Sequence, residues 1–267
     1  MLSRLAGLPR NRALALCALP VVALLAVAGL APLPFSIAQP GTTADVLGKD
    51  QGREVITISG VPVRPTDGQL RMTTILATGP SESIDVGEVA DAWFRTDRAV
   101  LPKSSVYPPG KSDKEIEQHN LGQMKESQDA ATLAALDYLK LDPNKVKVQL
   151  HLADIGGPSA GLLFSLGIVD KIDGDGDGGD LTGGRTVAGT GTIEPDGTVG
   201  AVGGVSLKTQ AAARDGATVF LVPKDECSQA EAERPKGLRL VPVTGLSDAV
   251  SSLRALEQGQ ESKVPSC

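Results

Sequence analysis

The sequence has 267 residues, enough for one large domain or two small ones. Apolar residues make up 41% and charged residues 22%, so most of the chain can bury a core. The net charge is −6, and an acidic body offers no electrostatic footprint for a nucleic acid. With two His and three Cys, no Cys/His zinc site is expected, and we predict neither a metal nor a cofactor.

The first 38 residues have the pattern of a targeting segment. Three arginines precede an almost entirely apolar run from Ala13 to Leu30. This layout keeps the positive end in the cytoplasm and sends the following domain across the membrane. Residues 1–38 therefore predict a single-pass signal-anchor, with cleavage at residues 36–38 and secretion as the alternative. Either outcome predicts an extracytoplasmic body.

The part of the body before residue 145 divides into two segments. Residues 39–112 predict a polar tether, a small β-unit from the strand patterns at 55–59 and 68–77, and an extended connection over 95–112. Ser112 and Glu115 then form a capping box, which predicts a helix in segment 113–144.

Strands and helices interleave from residue 145 onward, which predicts a mixed α/β domain over 145–258 and a C-terminal tail over 259–267. The predicted strands are 145–152, 186–193, 217–222 and 238–243, and the predicted helices lie near 159–170, 206–215 and 246–256.

A glycine-rich turn between a predicted strand and an apolar helix is the best candidate for chemistry. Ser159 in this turn is a candidate nucleophile, and the backbone at Gly157, Pro158 and Ala160 is the candidate oxyanion site. An ordinary serine cap on a helix is the alternative explanation for such a turn taken alone.

No histidine follows Ser159 in the sequence, as the usual Ser–acid–His order would require. The turn matches G-x-S-x-G of α/β-hydrolases, but His119 and His151 both precede Ser159, so a Ser–acid–His triad cannot be assembled in that order. A free serine hydroxyl is a weak nucleophile and needs a base. Lysine is the remaining candidate.

Three motifs in order resemble the proteolytic domain of Lon proteases. They are Gly156–Gly161 (GGPSAG), Gly189–Ile193 (GTGTI), and Gly200–Gly216 (GAVGGVSLKTQAAARDG) followed by ATVFLVP. The sequence is similar in particular to the membrane-anchored, ATPase-lacking Lon-like subfamily of the YlbL type. The resemblance is strong over 145–258.

The resemblance implies a Ser–Lys dyad. Ser159 matches the family's nucleophile, Lys208 its base, and Thr190 a supporting threonine that can hold the lysine amine. The residues around Lys208 are small and apolar, and such surroundings favour the neutral amine. Cys227 and Cys267 are the only cysteines of the body, so we predict a disulfide between them outside the cytoplasm.

The sequence departs from this subfamily in one respect. Only Asp142–Asn144 separate the predicted helix from the strand at Lys145, which leaves no room for the subfamily's PDZ domain. No P-loop motif occurs either. We therefore predict an ATP-independent serine endopeptidase acting on extracytoplasmic proteins or peptides. A non-catalytic scaffold on a degenerate protease fold and a self-processing protease are the alternatives, and a homo-oligomer is left open because Lon proteolytic domains often form rings.

Overall fold

Two compact units divide the chain. The structure is a computed structural model that describes residues 9–152 and 155–267. The first unit comprises Met1–Ile37 and Ala77–Pro109, and the second comprises Ala38–Leu76 and Gly110–Cys267. The helices are α1 Arg10–Leu30, α2 Val86–Trp93, α3 Lys103–Val106, α4 Asp113–Tyr138, α5 Gly161–Ile172, α6 Val205–Arg214, α7 Cys227–Ala232 and α8 Leu246–Glu257. The strands are β1 Phe35–Asp45, β2 Lys49–Asp50, β3 Arg53–Glu54, β4 Ile56–Ser59, β5 Gln69–Ala77, β6 Ala99–Pro102, β7 Lys147–Leu150, β8 Thr186–Gly189, β9 Thr192–Ile193, β10 Val199–Gly200, β11 Val219–Pro223 and β12 Arg239–Val243.

The first unit is built from α1, α2, α3, β6 and the beginning of β1. Its small core contains Ile37, Ile84 and Ala92. A capping box between Asp85 and Glu88 begins α2. No helix in the described part of the chain is both long and apolar enough to cross a membrane, so the predicted transmembrane helix is not supported.

The second unit is organised by a sheet with the strand order β12-β11-β8-β5-β1. Adjacent strands from β12 to β5 pair in parallel, and every residue of β11 is buried. Alternate side chains of the sheet enter two separate apolar clusters, so both faces of the sheet are covered. Helices α4, α5 and α8 cover the face that includes Leu221, and α6 and α7 cover the face that includes Phe220. The mixed α/β prediction is confirmed.

The local predictions after residue 110 agree with the structure, with small shifts at the ends of elements. Ser112 and Glu115 form the predicted capping box of α4. Gly216 follows the end of α6 with a φ of +86°, the left-handed conformation that suits a residue just after a helix. The predicted strand over 186–193 is divided into β8 and β9.

Residues 39–112 are more ordered than predicted. The first half of the predicted tether, residues 39–45, lies within β1, which takes its place in the central sheet beside β5. The predicted small β-unit does not form, because β5 enters that sheet while β4 pairs with β7, about ninety residues further along the chain. The predicted extended connection contains β6 and α3.

Candidate active site

The turn that carries Ser159 leads directly into helix α5. Ala160 is the N-cap of α5 and Ser159 precedes it, so Ser159 does not open the helix as predicted. Helix α5 is buried from Gly161 to Asp170. Gly157 has a φ of +93°, and a residue with a side chain would be strained in this left-handed conformation. The turn that presents the serine therefore leads directly into a buried helix.

Helix α4 holds the same turn from the side. The Asn120 carbonyl accepts the Gly157 N–H at 3.0 Å, and the Ser127 hydroxyl donates to the Pro158 carbonyl at 2.9 Å. The sequence analysis missed both positions, because a contact between a helix and a distant turn leaves no local pattern.

These bonds reduce the number of backbone N–H groups that could bind an oxyanion. The Gly157 N–H is occupied by Asn120, and Pro158 has no N–H to donate. The Ala160 N–H makes no hydrogen bond within the described residues. Of the three predicted positions, only Ala160 keeps a free donor beside the serine.

Lys208 is the fourth residue of α6. The helix begins after Gly204, whose φ of +70° and close approach to Ile75 leave little room for a side chain. Lys208 is 3% exposed, and its Nζ donates to Thr190 Oγ1 at 3.0 Å. Thr190 follows β8, which places its hydroxyl beneath the serine turn.

A chain of hydrogen bonds joins the three residues predicted for the dyad and its support. Thr190 Oγ1 accepts from Lys208 and donates to the Ser159 carbonyl at 3.3 Å, and the Gly191 N–H donates to the same carbonyl at 3.0 Å. The Ser159 hydroxyl has no hydrogen bond among the described residues. Lys208 and the Ser159 residue are thus linked through Thr190, and the serine hydroxyl is left unengaged.

Burial sets the proton affinity of the lysine. Desolvation of the ammonium lowers the pKa of Lys208 from 10.5 to about 8, and the negative charge of Glu226 acts in the opposite direction. An amine with this pKa is neutral in a large fraction of molecules at mildly alkaline pH. It can therefore accept a proton from a serine, which an ordinary surface lysine cannot do near neutrality.

Two clefts lie beside the serine turn. One has a volume of about 530 Å³ and is lined by residues of β1, β5 and α4 together with Gly156. The other has a volume of about 270 Å³ and is lined by residues of α4 together with Pro158 and Thr192–Glu194. Within the described residues, no cluster of three His, Cys, Asp or Glu side chains could hold a metal ion.

The two cysteines of the body form a disulfide in the structure. Cys227 and Cys267 are joined with a Cα–Cα distance of 5.3 Å across a sequence separation of 40 residues. The predicted tail is therefore attached to the domain, and Val264 within it is buried against the main core. Cys227 is the first residue of α7 and directly follows Glu226.

The geometry agrees with a comparison to known protein families. The model of the Lon protease (S16) C-terminal proteolytic domain matches residues 81–251. This match spans more than half of the chain, so the protein belongs to the Lon protease (S16) proteolytic-domain family. It is accordingly a serine-type peptidase whose substrates are proteins.

Proposed function

We propose that the protein is an ATP-independent endopeptidase that uses Ser159 as its nucleophile and Lys208 as its base. The observation that carries this proposal is the buried Lys208 amine, hydrogen-bonded to Thr190, which in turn bonds to the Ser159 carbonyl. Burial supplies the neutral amine, and the shared threonine keeps it next to the serine. Neither feature is expected at an ordinary serine cap.

The reaction follows from these positions. The neutral Lys208 amine takes the proton of the Ser159 hydroxyl while the serine oxygen attacks the peptide carbonyl. The Ala160 N–H stabilises the oxyanion that forms. Lys208, now an ammonium, gives its proton to the departing amine, which leaves an acyl-enzyme. A water molecule attacks this ester with Lys208 again as base, and the serine is restored.

The substrates we propose are flexible segments. Two clefts lie beside the turn, and no P-loop occurs in the sequence, so no ATP-driven unfolding by this chain supplies the substrate. A polypeptide that already lacks structure can place its backbone against the turn without that work.

The test combines labelling with proteolysis by the full chain in detergent. We expect a fluorophosphonate to label Ser159 and the protein to cleave an added unstructured polypeptide. Ser159→Ala removes both signals, whereas Ser251→Ala, on the exposed face of α8, keeps both. A folded wild-type protein that neither takes the label nor cleaves would favour a non-catalytic scaffold instead. Labelling without cleavage of any added polypeptide would favour a self-processing protease.

We also propose that residues 1–38 direct the body across the membrane and remain as its anchor. The arginines before the apolar run support this orientation. Large apolar side chains of α1 are exposed, including Leu24 at 69% and Leu30 at 78%, and the Cys227–Cys267 disulfide is typical of oxidising compartments.

Cell fractionation tests this location. We expect the full chain in the membrane fraction, with its body accessible to protease in spheroplasts and its N-terminal peptide present by mass spectrometry. An N-terminus that begins after residue 38 would indicate secretion. A body that stays in the cytoplasm with reduced thiols would contradict the proposal.

A further inference from the structure

Glu226 is a buried carboxylate whose role the dyad does not explain. It ends the short turn that follows β11, and it is 6% exposed. Burial raises its pKa, and the N–H of Val202 and the charge of Lys208 oppose that rise. A buried carboxylate is costly unless specific partners hold it. Its partners therefore indicate what it does.

The first partner connects Glu226 to the helix that carries the lysine. Glu226 Oε2 accepts the Val202 N–H at 3.1 Å. Val202 lies between β10 and α6, two residues before Gly204, whose left-handed conformation begins α6. Holding Val202 thus fixes the path by which the chain enters α6, and Lys208 is the fourth residue of that helix.

The second partner is the lysine itself. Glu226 is the charged group that acts on Lys208, and Asp225 is the other charged group that acts on Glu226. Strands β8 and β11 both pack against α6, and neither contains a titratable residue. Glu231 on α7 is exposed, and at the end of α6 Arg214 pairs with Asp215. Within the described residues, Glu226 is therefore the carboxylate whose charge acts on Lys208.

The chain connectivity fixes the position of this carboxylate. Glu226 directly precedes Cys227, which is bonded to Cys267, and α7 packs against α6. A carboxylate on an unrestrained loop would turn toward solvent to regain hydration. The disulfide and the packing of α7 hold Glu226 beneath α6 instead.

We propose that Glu226 is a positioning residue for Lys208, which fixes the segment leading into α6 and supplies a negative charge that acts on the buried amine. This inference rests on the proposed function, in which the lysine must both take and return a proton. Burial alone favours a base that releases protons readily. The carboxylate restores part of the proton affinity that Lys208 needs to take the proton of Ser159.

The test is the pH dependence of peptide cleavage by Glu226 variants of the full chain. Glu226→Gln keeps an oxygen that can accept the Val202 N–H but removes the charge. We expect the acid limb of its kcat/KM profile to move to lower pH by about half a unit or more. Glu226→Asp keeps the charge and the position of the limb, and Glu231→Gln, on the exposed surface of α7, leaves the profile unchanged.

A second measurement separates this inference from the proposed function. Lys208 is titrated by NMR in protein with ¹³Cε-labelled lysine and the Ser159→Ala substitution, so that no activity is needed. Its midpoint must fall in Glu226→Gln, or in Glu226→Asn if only that neutral variant folds. Superimposable titrations with and without the carboxylate would overturn the inference even in an active peptidase. An inactive wild type with a shifted titration would instead count against the proposed function alone.

Discussion

Two buried charged side chains of the second unit, Lys208 and Asp170, have shifted pKa values but different surroundings. Asp170 lies near the end of α5 and is fully buried, and burial raises its pKa to about 6. Its Oδ1 accepts the Leu181 N–H at 2.8 Å, and Arg64 lies 3.9 Å away. Lys208 instead bonds to a threonine that reaches the serine turn.

The comparison shows that burial and a shifted pKa do not by themselves define a catalytic group. Asp170 joins a loop to its helix, and its partners are an arginine and a backbone N–H. Lys208 has no acidic group within ion-pair distance among the described residues, so its amine can be neutral when a substrate binds. The two buried residues therefore differ in the groups to which they bond, and not in their burial.

The largest expected effect is the loss of peptide cleavage when Ser159 or Lys208 is replaced. Ser159→Ala and Lys208→Ala should each lower kcat/KM by more than about a thousandfold, and the double variant should be no worse than either. Lys208→Arg should also be inactive, because arginine keeps its charge and cannot act as a base. Single-turnover and steady-state assays on an unstructured substrate measure these losses.

Two control variants belong to this prediction. Lys224→Ala removes an exposed lysine, and Asp170→Asn removes a buried charge away from the serine turn, so both should cleave like the wild type. An active Lys208→Arg variant would reject the lysine as base and move attention to His151, the histidine nearest to the turn in sequence.

Removing the disulfide has the next largest expected effect, a loss of stability. Replacing Cys227 and Cys267 together by serine should lower the free energy of unfolding by roughly 2–4 kcal/mol, because the bond closes a long loop of the unfolded chain. Chemical denaturation of the oxidised wild type and of the variant measures the difference. Equal midpoints would show that the tail packs without the bond.

The pH dependence of cleavage tests whether Lys208, unlike Asp170, acts as a base. The pKa of Lys208 is lowered to about 8, so the active neutral amine is present above that pH and is lost as the pH falls through it. We expect kcat/KM to rise about fiftyfold between pH 6 and 8 and to level off above about pH 9. A profile that is flat over this range would contradict an amine base.

Sequence motifs predicted the site better than the fold around it. The resemblance of three ordered motifs named Ser159, Thr190 and Lys208, and hydrogen bonds join these residues in the structure. Their catalytic roles remain predictions. Short-range signals also predicted the start of α4 and the end of α6.

The missed features depend on contacts between distant parts of the chain. The Gly- and Thr-rich residues of β1 look like a tether, and only their place beside β5 makes them a strand. Asn120, Ser127 and Glu226 hold other elements through single hydrogen bonds, which produce no periodic pattern in the sequence. Such residues become visible only when the elements are assembled.

The smallest expected effect concerns Asp170 and stability. Its pKa is raised in the folded state, to about 6 from 3.8, so folding favours the protonated carboxyl, and the stability it contributes is lost as the pH rises from about 4 to 6. Asp170→Asn stays neutral throughout and lacks this loss. Its free energy of unfolding, relative to the wild type, should therefore increase by about 1–3 kcal/mol between pH 4 and pH 7. Urea denaturation of both proteins across this range measures the change, with Asp129→Asn on the exposed surface of α4 as the control. A difference that stays constant with pH would show that Arg64 already holds the carboxylate ionised, and the contrast with Lys208 would then rest on geometry alone.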